Sequence, residues 1–298
     1  MTKDSKYRKF IRFIWIAFGA ATLGIVGIFG AASAGLLGTM PDFRQLENPK
    51  TNLATQIISA DNTVLGKFYF NDNRTPISYD EIPNSMIDAL IATEDERFYS
   101  HSGIDFRGTA RAFFYLGSKG GGSTITQQLA RQLFTGVRSR NKLEAVVQKI
   151  KEWVIAIRLE RRYTKNEIIA MYLNIYDFNY NADGIRSASS IYFSKTPDQM
   201  SLSESAMLVG MLKNSSLYNP LRRPELVRER RNIVYQQMLR NQLIDPKEKD
   251  SLAALPIEVN FNPQSHREGI ATYFRAYLQK FMRSWIANNP KEDGSSYN

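Results

Sequence analysis

Asn84-Ser85-Met86-Ile87-Asp88-Ala89-Leu90-Ile91-Ala92-Thr93-Glu94-Asp95-Glu96-Arg97-Phe98 decides how this chain is read. Pro83 precedes it, and Ile87, Leu90, Ile91 and Phe98 recur at the one-sided spacing of a helix packed on a core. At about 100° per residue, Glu94 falls in the middle of that apolar stripe. Burial disfavours the ionised form of a carboxylate, so an acid held there has a raised pKa and exchanges a proton near neutral pH. The plainer alternative for a helix-end Glu is to turn toward solvent or to pair with an arginine. The chain then continues through Tyr99-Ser100-His101-Ser102-Gly103.

A second stretch, Gly121-Gly122-Ser123-Thr124-Ile125-Thr126-Gln127-Gln128, places glycines and hydroxyls at the mouth of another helix. Thr124 and Gln127 have the spacing of a capping box, and the helix is expected to run through Leu129 and Leu133. Backbone N–H groups at such a start, behind glycines that permit close approach, suit an anion. The glycines from Gly117 to Gly122 are spaced as in a nucleotide P-loop, but Ser123 stands where that motif needs lysine, which excludes ATP or GTP. An ordinary glycine-rich loop before a well-capped helix is the alternative.

Charge enters with a third stretch. From Arg131 to Lys165 there are ten basic residues against Glu144, Glu152 and Glu160, an excess of seven within a net charge of +10. A solvated basic face is the usual cause. Here, however, Val146, Val147, Ile150, Trp153, Val154 and Ile157 form one apolar stripe, and Ala145, Ala156 and Leu159 form a second that includes Glu152. A helix apolar on two sides is expected to be buried in the domain, and its acid then needs a partner such as Lys149 or Lys151.

Five ordered blocks between about residues 55 and 245 resemble the peptidoglycan glycosyltransferases (glycosyltransferase family 51), found in class A penicillin-binding proteins and monofunctional transglycosylases. They are Glu94-Asp95 with Phe98, His101 and Gly103; Gly122 to Gln128; Lys149-Ile150-Lys151-Glu152; Lys165-Asn166-Glu167-Ile168 through Tyr172-Leu173-Asn174; and Arg230-Arg231 through Met238. One departure stands out: the family has arginine before the lysine of the third block, and this chain has Gln148. Arg138, Arg140 or Lys142 are candidates to compensate.

The resemblance implies a mainly α, lysozyme-like two-lobed domain with a small β-hairpin, preceded by one transmembrane helix. It also implies inverting polymerisation of lipid II into β-1,4 glycan strands, with release of undecaprenyl pyrophosphate. Glu94 would be the general base for the acceptor 4-hydroxyl, and Glu152 would assist the departing pyrophosphate, directly or through a divalent cation (Mg or Mn); no cofactor is otherwise required. Ser123, Thr124, Gln127, Gln128, Arg131, Lys149 and Lys151 map to the donor cleft, Asp95, Phe98 and His101 to residues bracing the base, and Asn174 and Arg231 to further substrate positions. The implied partners are lipid II, the nascent glycan strand, the membrane and other cell-wall synthesis proteins.

The remaining sequence agrees. Residues 13–40 carry no charged side chain and are long enough to cross a bilayer, with Lys3, Lys6, Arg8, Lys9 and Arg12 before them. The positive-inside rule then keeps the N-terminus cytoplasmic and the catalytic domain on the outer, periplasmic side of the cytoplasmic membrane. A cleaved signal peptide would have a shorter apolar core. A net positive charge suits anionic lipid head groups, whereas nucleic acid is improbable for an exported, anchored chain. The chain has no Cys, and its two histidines, His101 and His266, form no HExxH, against thiol, zinc-protease or serine-hydrolase chemistry.

Five segments follow: a cytoplasmic tail (1–12), an anchor (13–40), a connector with a hairpin between Thr55 and Phe70 (41–80), the glycosyltransferase domain (81–245) and a C-terminal connector (246–298). The joint Ser-x-x-Lys, Ser-x-Asn and Lys-Ser/Thr-Gly set of a transpeptidase does not occur. The long tail favours a fragment of a bifunctional protein over a natural monofunctional enzyme. A lytic glycan-cleaving enzyme or an inactive anchored scaffold are the rival readings.

Overall fold

The computed structural model describes residues 3–38, 40, 55–61, 64–68, 74–115, 121–263 and 272–290. Helix α1 (Lys3–Ser33) begins well before the uncharged run, so the basic tail and the apolar segment share one helix. Its span Tyr7–Ser33 has a mean hydropathy of 2.0, long and apolar enough to cross a membrane. Strands β1 (Thr55–Ile58) and β2 (Val64–Phe68) form an antiparallel hairpin, with a bulge between Ile57 and Ile58. The hairpin is expected to turn at Asp61-Asn62; Asn62 and Thr63 lie outside the described residues, as do Gly117 and Gly120.

The remainder is helical: α2 (Asn84–Glu94), α3 (Phe106–Phe114), α4 (Ile125–Ala130), α5 (Lys142–Arg162), α6 (Lys165–Ile175), α7 (Gly184–Phe193), α8 (Leu202–Met211), α9 (Pro224–Arg240), α10 (Pro246–Ala254) and α11 (Thr272–Asn288). The chain forms two compact units, one from Met1–Lys50 with Arg97–Ile168, the other from Thr51–Glu96 with Ile169–Asn298.

In the first unit α4 packs on α5, burying Ile125, Leu129, Ile155, Ala156 and Leu159. Thr124 caps α4, its Oγ1 accepting from Gln127 N at 3.1 Å. The reciprocal half of the expected box does not form, because the Gln127 side chain bonds elsewhere. Nor does an α-helix run through Leu133: a π-turn, Arg131–Thr135, replaces it and ends at Gly136. Helix α5 also departs from expectation. The face with Glu152 and Leu159 is buried, but Val146 is 58% exposed and Trp153 stacks on Phe29 of α1 at 5.9 Å. Apart from the buried Val154, the stripe that holds Val146 and Trp153 therefore meets α1 and solvent rather than a core.

The start of α6 shows how the first unit is pinned. Thr164 and Glu167 form a capping box, Thr164 N donating to Glu167 at 2.7 Å and Glu167 N to Thr164 Oγ1 at 3.3 Å. Lys165 then donates to the His101 carbonyl at 2.7 Å and to Glu160 at 2.8 Å, with its Nζ 4.2 Å from the centre of the Phe98 ring. Thr126 Oγ1 donates to the same Glu160 oxygen at 2.5 Å.

In the second unit α2, α8 and α9 pack together, and α8 is buried from Ser205 to Met211. The box Ser201…Glu204 starts α8, with Ser201 N donating to Glu204 at 2.7 Å. Asn174 holds an extended segment through both backbone groups of Ile77, at 3.1 and 2.8 Å. Gly184 sits at φ +78 where a Cβ would stand 2.5 Å from the Asn174 carbonyl oxygen, so no side chain fits there.

Replacing Lys165 with Met should leave Glu160 buried without its cation. Removing one partner of a buried ion pair costs about 3 kcal/mol, and urea unfolding of the Lys165→Met chain should report a loss of that order.

Candidate active site

Glu94 is the last residue of α2, and Asp95, with φ −159 and ψ 73, ends the helix. Phe98 is therefore not on that helix but in a separate turn, Phe98–Ser100. The Glu94 side chain is only 15% exposed, and an oxygen lies 3.7 Å from the guanidinium of Arg230 on α9. The alternative in which a helix-end Glu pairs with arginine is thus the geometry observed, and it coexists with burial. Arg230 is held in turn: its Nε donates to Gly210 O at 3.4 Å, and its guanidinium lies 5.8 Å from the Tyr218 ring centre. Tyr176 donates to the Met211 and Leu212 carbonyls at 3.0 and 2.9 Å, capping α8. Burial first, with Glu94's nearby charge adding, pushes the Tyr176 phenol up to about 12. Asp95 beside Glu94 is buried at 6% exposure.

Glu152 lies in the first unit and is almost wholly enclosed, at 2% exposure. Lys149, one helical turn earlier, reaches it at 3.1 Å. The same ammonium donates to Ser123 Oγ and to Gln127 Oε1, both at 2.8 Å. Gln127 donates its amide to the Gly103 carbonyl at 3.1 Å, where Thr124 Oγ1 also donates at 2.8 Å. Gly103 has φ +90, and a Cβ there would stand 2.9 Å from the backbone of Ala156 on α5, so glycine permits the contact. Burial pushes the Lys149 ammonium below the usual lysine range; Glu152 opposes this, while Arg138 and Arg131 add to it. Arg138 stands 3.7 Å from Glu152.

Arg131 stays close enough to Lys149 for its charge to act there, and the other candidates from the sequence sit elsewhere. Lys151 reaches the glycine turn after α1, where a Cβ on Gly38 would lie 2.7 Å from its Nζ. Phe98 is core, and His101 lends its carbonyl to Lys165 and its ring to an edge contact with Phe98. Gln128 and Arg131 are half-buried near the start and end of α4. Asn174 is engaged with Ile77. Arg231 turns inward, donating to Ser203 Oγ and Pro256 O at 2.9 Å and to Leu255 O. It anchors the segment after α10, and its neighbour Arg230 is the guanidinium beside Glu94. Both arginines fall in the buried stripe of α9, so spacing alone does not separate them.

The donor set at Glu152 does not fit a protein-held divalent cation. One carboxylate faced by a lysine and an arginine offers too few oxygens and too much positive charge. Among the described residues no group of three or more His, Asp or Glu side chains is placed to hold a metal.

Fold and site define a helical protein with a buried glutamate, paired with a half-buried lysine, beneath a glycine- and hydroxyl-rich helix start. A family model described as Transglycosylase matches residues 61–239, and the chain belongs to that family. Penicillin-binding protein 1A of Escherichia coli (strain K12) is 35% identical over 285 residues, covering 94% of this chain and 32% of the relative. Penicillin-binding protein 1A of Aquifex aeolicus is 36% identical over 271 residues, with 87% and 36% covered. Penicillin-binding protein 1B of Haemophilus influenzae is 39% identical over 206 residues, with 66% and 26% covered. The chain spans about a third of the length of the curated relatives it matches.

Arg231→Met should destabilise the chain by about 2 kcal/mol, the range for hydrogen bonds from a charged donor, and should expose the segment after Ala254 to protease. Arg230→Met should leave that segment protected. Urea unfolding with limited proteolysis checks both.

Proposed function

We propose that this chain is a peptidoglycan glycosyltransferase that polymerises lipid II, releasing undecaprenyl pyrophosphate. The observation that carries this reading is the joining of residues from three sequence blocks around one buried acid. Gly103, Ser123 with Gln127, and Lys149 with Glu152 form a continuous hydrogen-bonded set. Such a set holds a carboxylate and an ammonium in fixed positions where a leaving group gains negative charge, and preorganised charge of this kind is a large source of rate.

In the proposed reaction the 4-oxygen of the acceptor sugar attacks the donor's anomeric carbon. Its proton passes to Glu94 as the new C–O bond forms. The bond from the anomeric carbon to the phosphate oxygen breaks, and the diphosphate lipid leaves with the electron pair. Arg230, 3.7 Å away, fixes the direction in which Glu94 presents its oxygens. Lys149 orients Glu152 and supplies positive charge toward the departing diphosphate. Helix α1 anchors the enzyme in the cytoplasmic membrane. Its basic first turns hold the N-terminus in the cytoplasm, with the remainder on the outer side among cell-wall synthesis proteins.

Purified full chain in detergent should convert labelled lipid II to polymer resolved on a gel. Glu94→Gln should lower kcat by at least about 100-fold, the scale of general-base catalysis, with an unchanged melting temperature. Undiminished polymer from that variant would remove Glu94 as the base. Release of muropeptides from sacculi without polymer would identify a lytic enzyme instead.

A further inference from the structure

Two cations face Glu152, and they differ in the donors they have left. An ammonium has three N–H groups, and those of Lys149 go to Ser123, Gln127 and Glu152. An incoming anion reaches Lys149 only by displacing one of these acceptors. Arg138 approaches Glu152 to 3.7 Å, an ion-pair distance too long for a hydrogen bond, and its side chain is 49% exposed. Its planar fork of donors matches phosphate oxygens in pairs.

Gln148 bonds the backbone next to Arg138. This half-buried residue of α5 accepts from Ser139 N at 2.8 Å through Oε1 and donates to Val137 O at 3.4 Å through Nε2. The two backbone contacts flank Arg138 on either side. Ser139 Oγ donates to Glu144 at 2.6 Å and accepts from Asn141 N at 3.1 Å, tying the same turn to the start of α5. The segment leaves the π-turn at Gly136, whose φ of +64 sets its direction. A glutamine that holds both neighbours of one arginine restrains the backbone from which that guanidinium reaches out.

We propose that Arg138 binds the diphosphate of the donor beside Glu152, and that Gln148 is a positioning residue that clamps the backbone on both sides of it. The identity of the diphosphate rests on the glycosyltransferase reading; the anion site itself does not. Position 148 also lies one turn before Glu152, so an arginine placed there would reach the same carboxylate along the helix.

The test titrates the full chain in detergent micelles with undecaprenyl pyrophosphate, a binding measurement that needs no turnover. Arg138→Ala should weaken binding about tenfold, and Arg138→Lys, which keeps the charge but loses the fork, about threefold, in line with one charge-assisted contact. Gln148→Ala should give the same loss as Arg138→Ala, and the double variant should lose no more than Arg138→Ala alone, since the clamp acts through one residue. Arg138→Ala with Gln148→Arg should recover most of the affinity. With lipid II, Arg138→Ala and Gln148→Ala should each lower kcat/KM by about tenfold, since the same contact meets the charge the departing diphosphate gains. Unchanged binding in Arg138→Ala overturns the anion site, even if its melting temperature falls. Losses that multiply in the double variant, or normal binding in Gln148→Ala, overturn the clamp. Arg138-dependent binding by a chain that makes no polymer would overturn the transferase reading and leave this site standing.

Discussion

The pairing of half-buried Lys149 with buried Glu152 is the constraint on which the first unit's arrangement turns. Glu152 is nearly sealed from water, and a lone ionised carboxylate there would be prohibitively costly. Such a pair is tolerable only when its remaining hydrogen-bonding capacity is met. That requirement reaches outward: Lys149 needs Ser123 and Gln127, Gln127 needs the Gly103 carbonyl, and Gly103 needs a left-handed backbone against α5. A polar network this connected is rigid because any partial version of it is worse than an apolar core. The rigidity is useful chemically, since charge fixed before the reaction need not reorganise during it.

The second unit solves a similar problem at Glu94 with a different device. A helix ends on an acid, and a guanidinium supported by Gly210 and the Tyr218 ring lies beside it. Arg231, one residue along, shows how finely this is set by position. Its guanidinium ties down the carbonyls of Leu255 and Pro256 and so serves the fold.

What the sequence disclosed was mostly local. The start of α2 after Pro83, the two reciprocal capping boxes at Thr164 and Ser201, the hairpin and the need of Glu152 for Lys149 were all legible, because each depends on residues within a turn or two. The end of α2 at Glu94 was not, since the apolar stripe continues formally to Phe98 while Asp95 breaks the backbone. The π-turn after α4 and the inward direction of Arg231 were equally hidden, because both depend on what packs opposite. The two-striped pattern of α5 was visible, but not that the stripe with Trp153 meets α1, with Trp153 on Phe29 and Arg158 donating to the Ser33 carbonyl at 3.1 Å. Gln148 looked like a missing cation in one dimension. Folded, it holds the backbone on both sides of Arg138.

The proposed reaction is a single displacement, with one acid taking a proton and another region receiving a diphosphate. Proton NMR of the newly formed glycosidic linkage, compared with the donor's anomeric configuration, tests this most directly. Inversion, with one diphosphate lipid released per bond formed, is the result expected of base-assisted attack. Retention of configuration would require a covalent glycosyl intermediate and a nucleophile, and would contradict it.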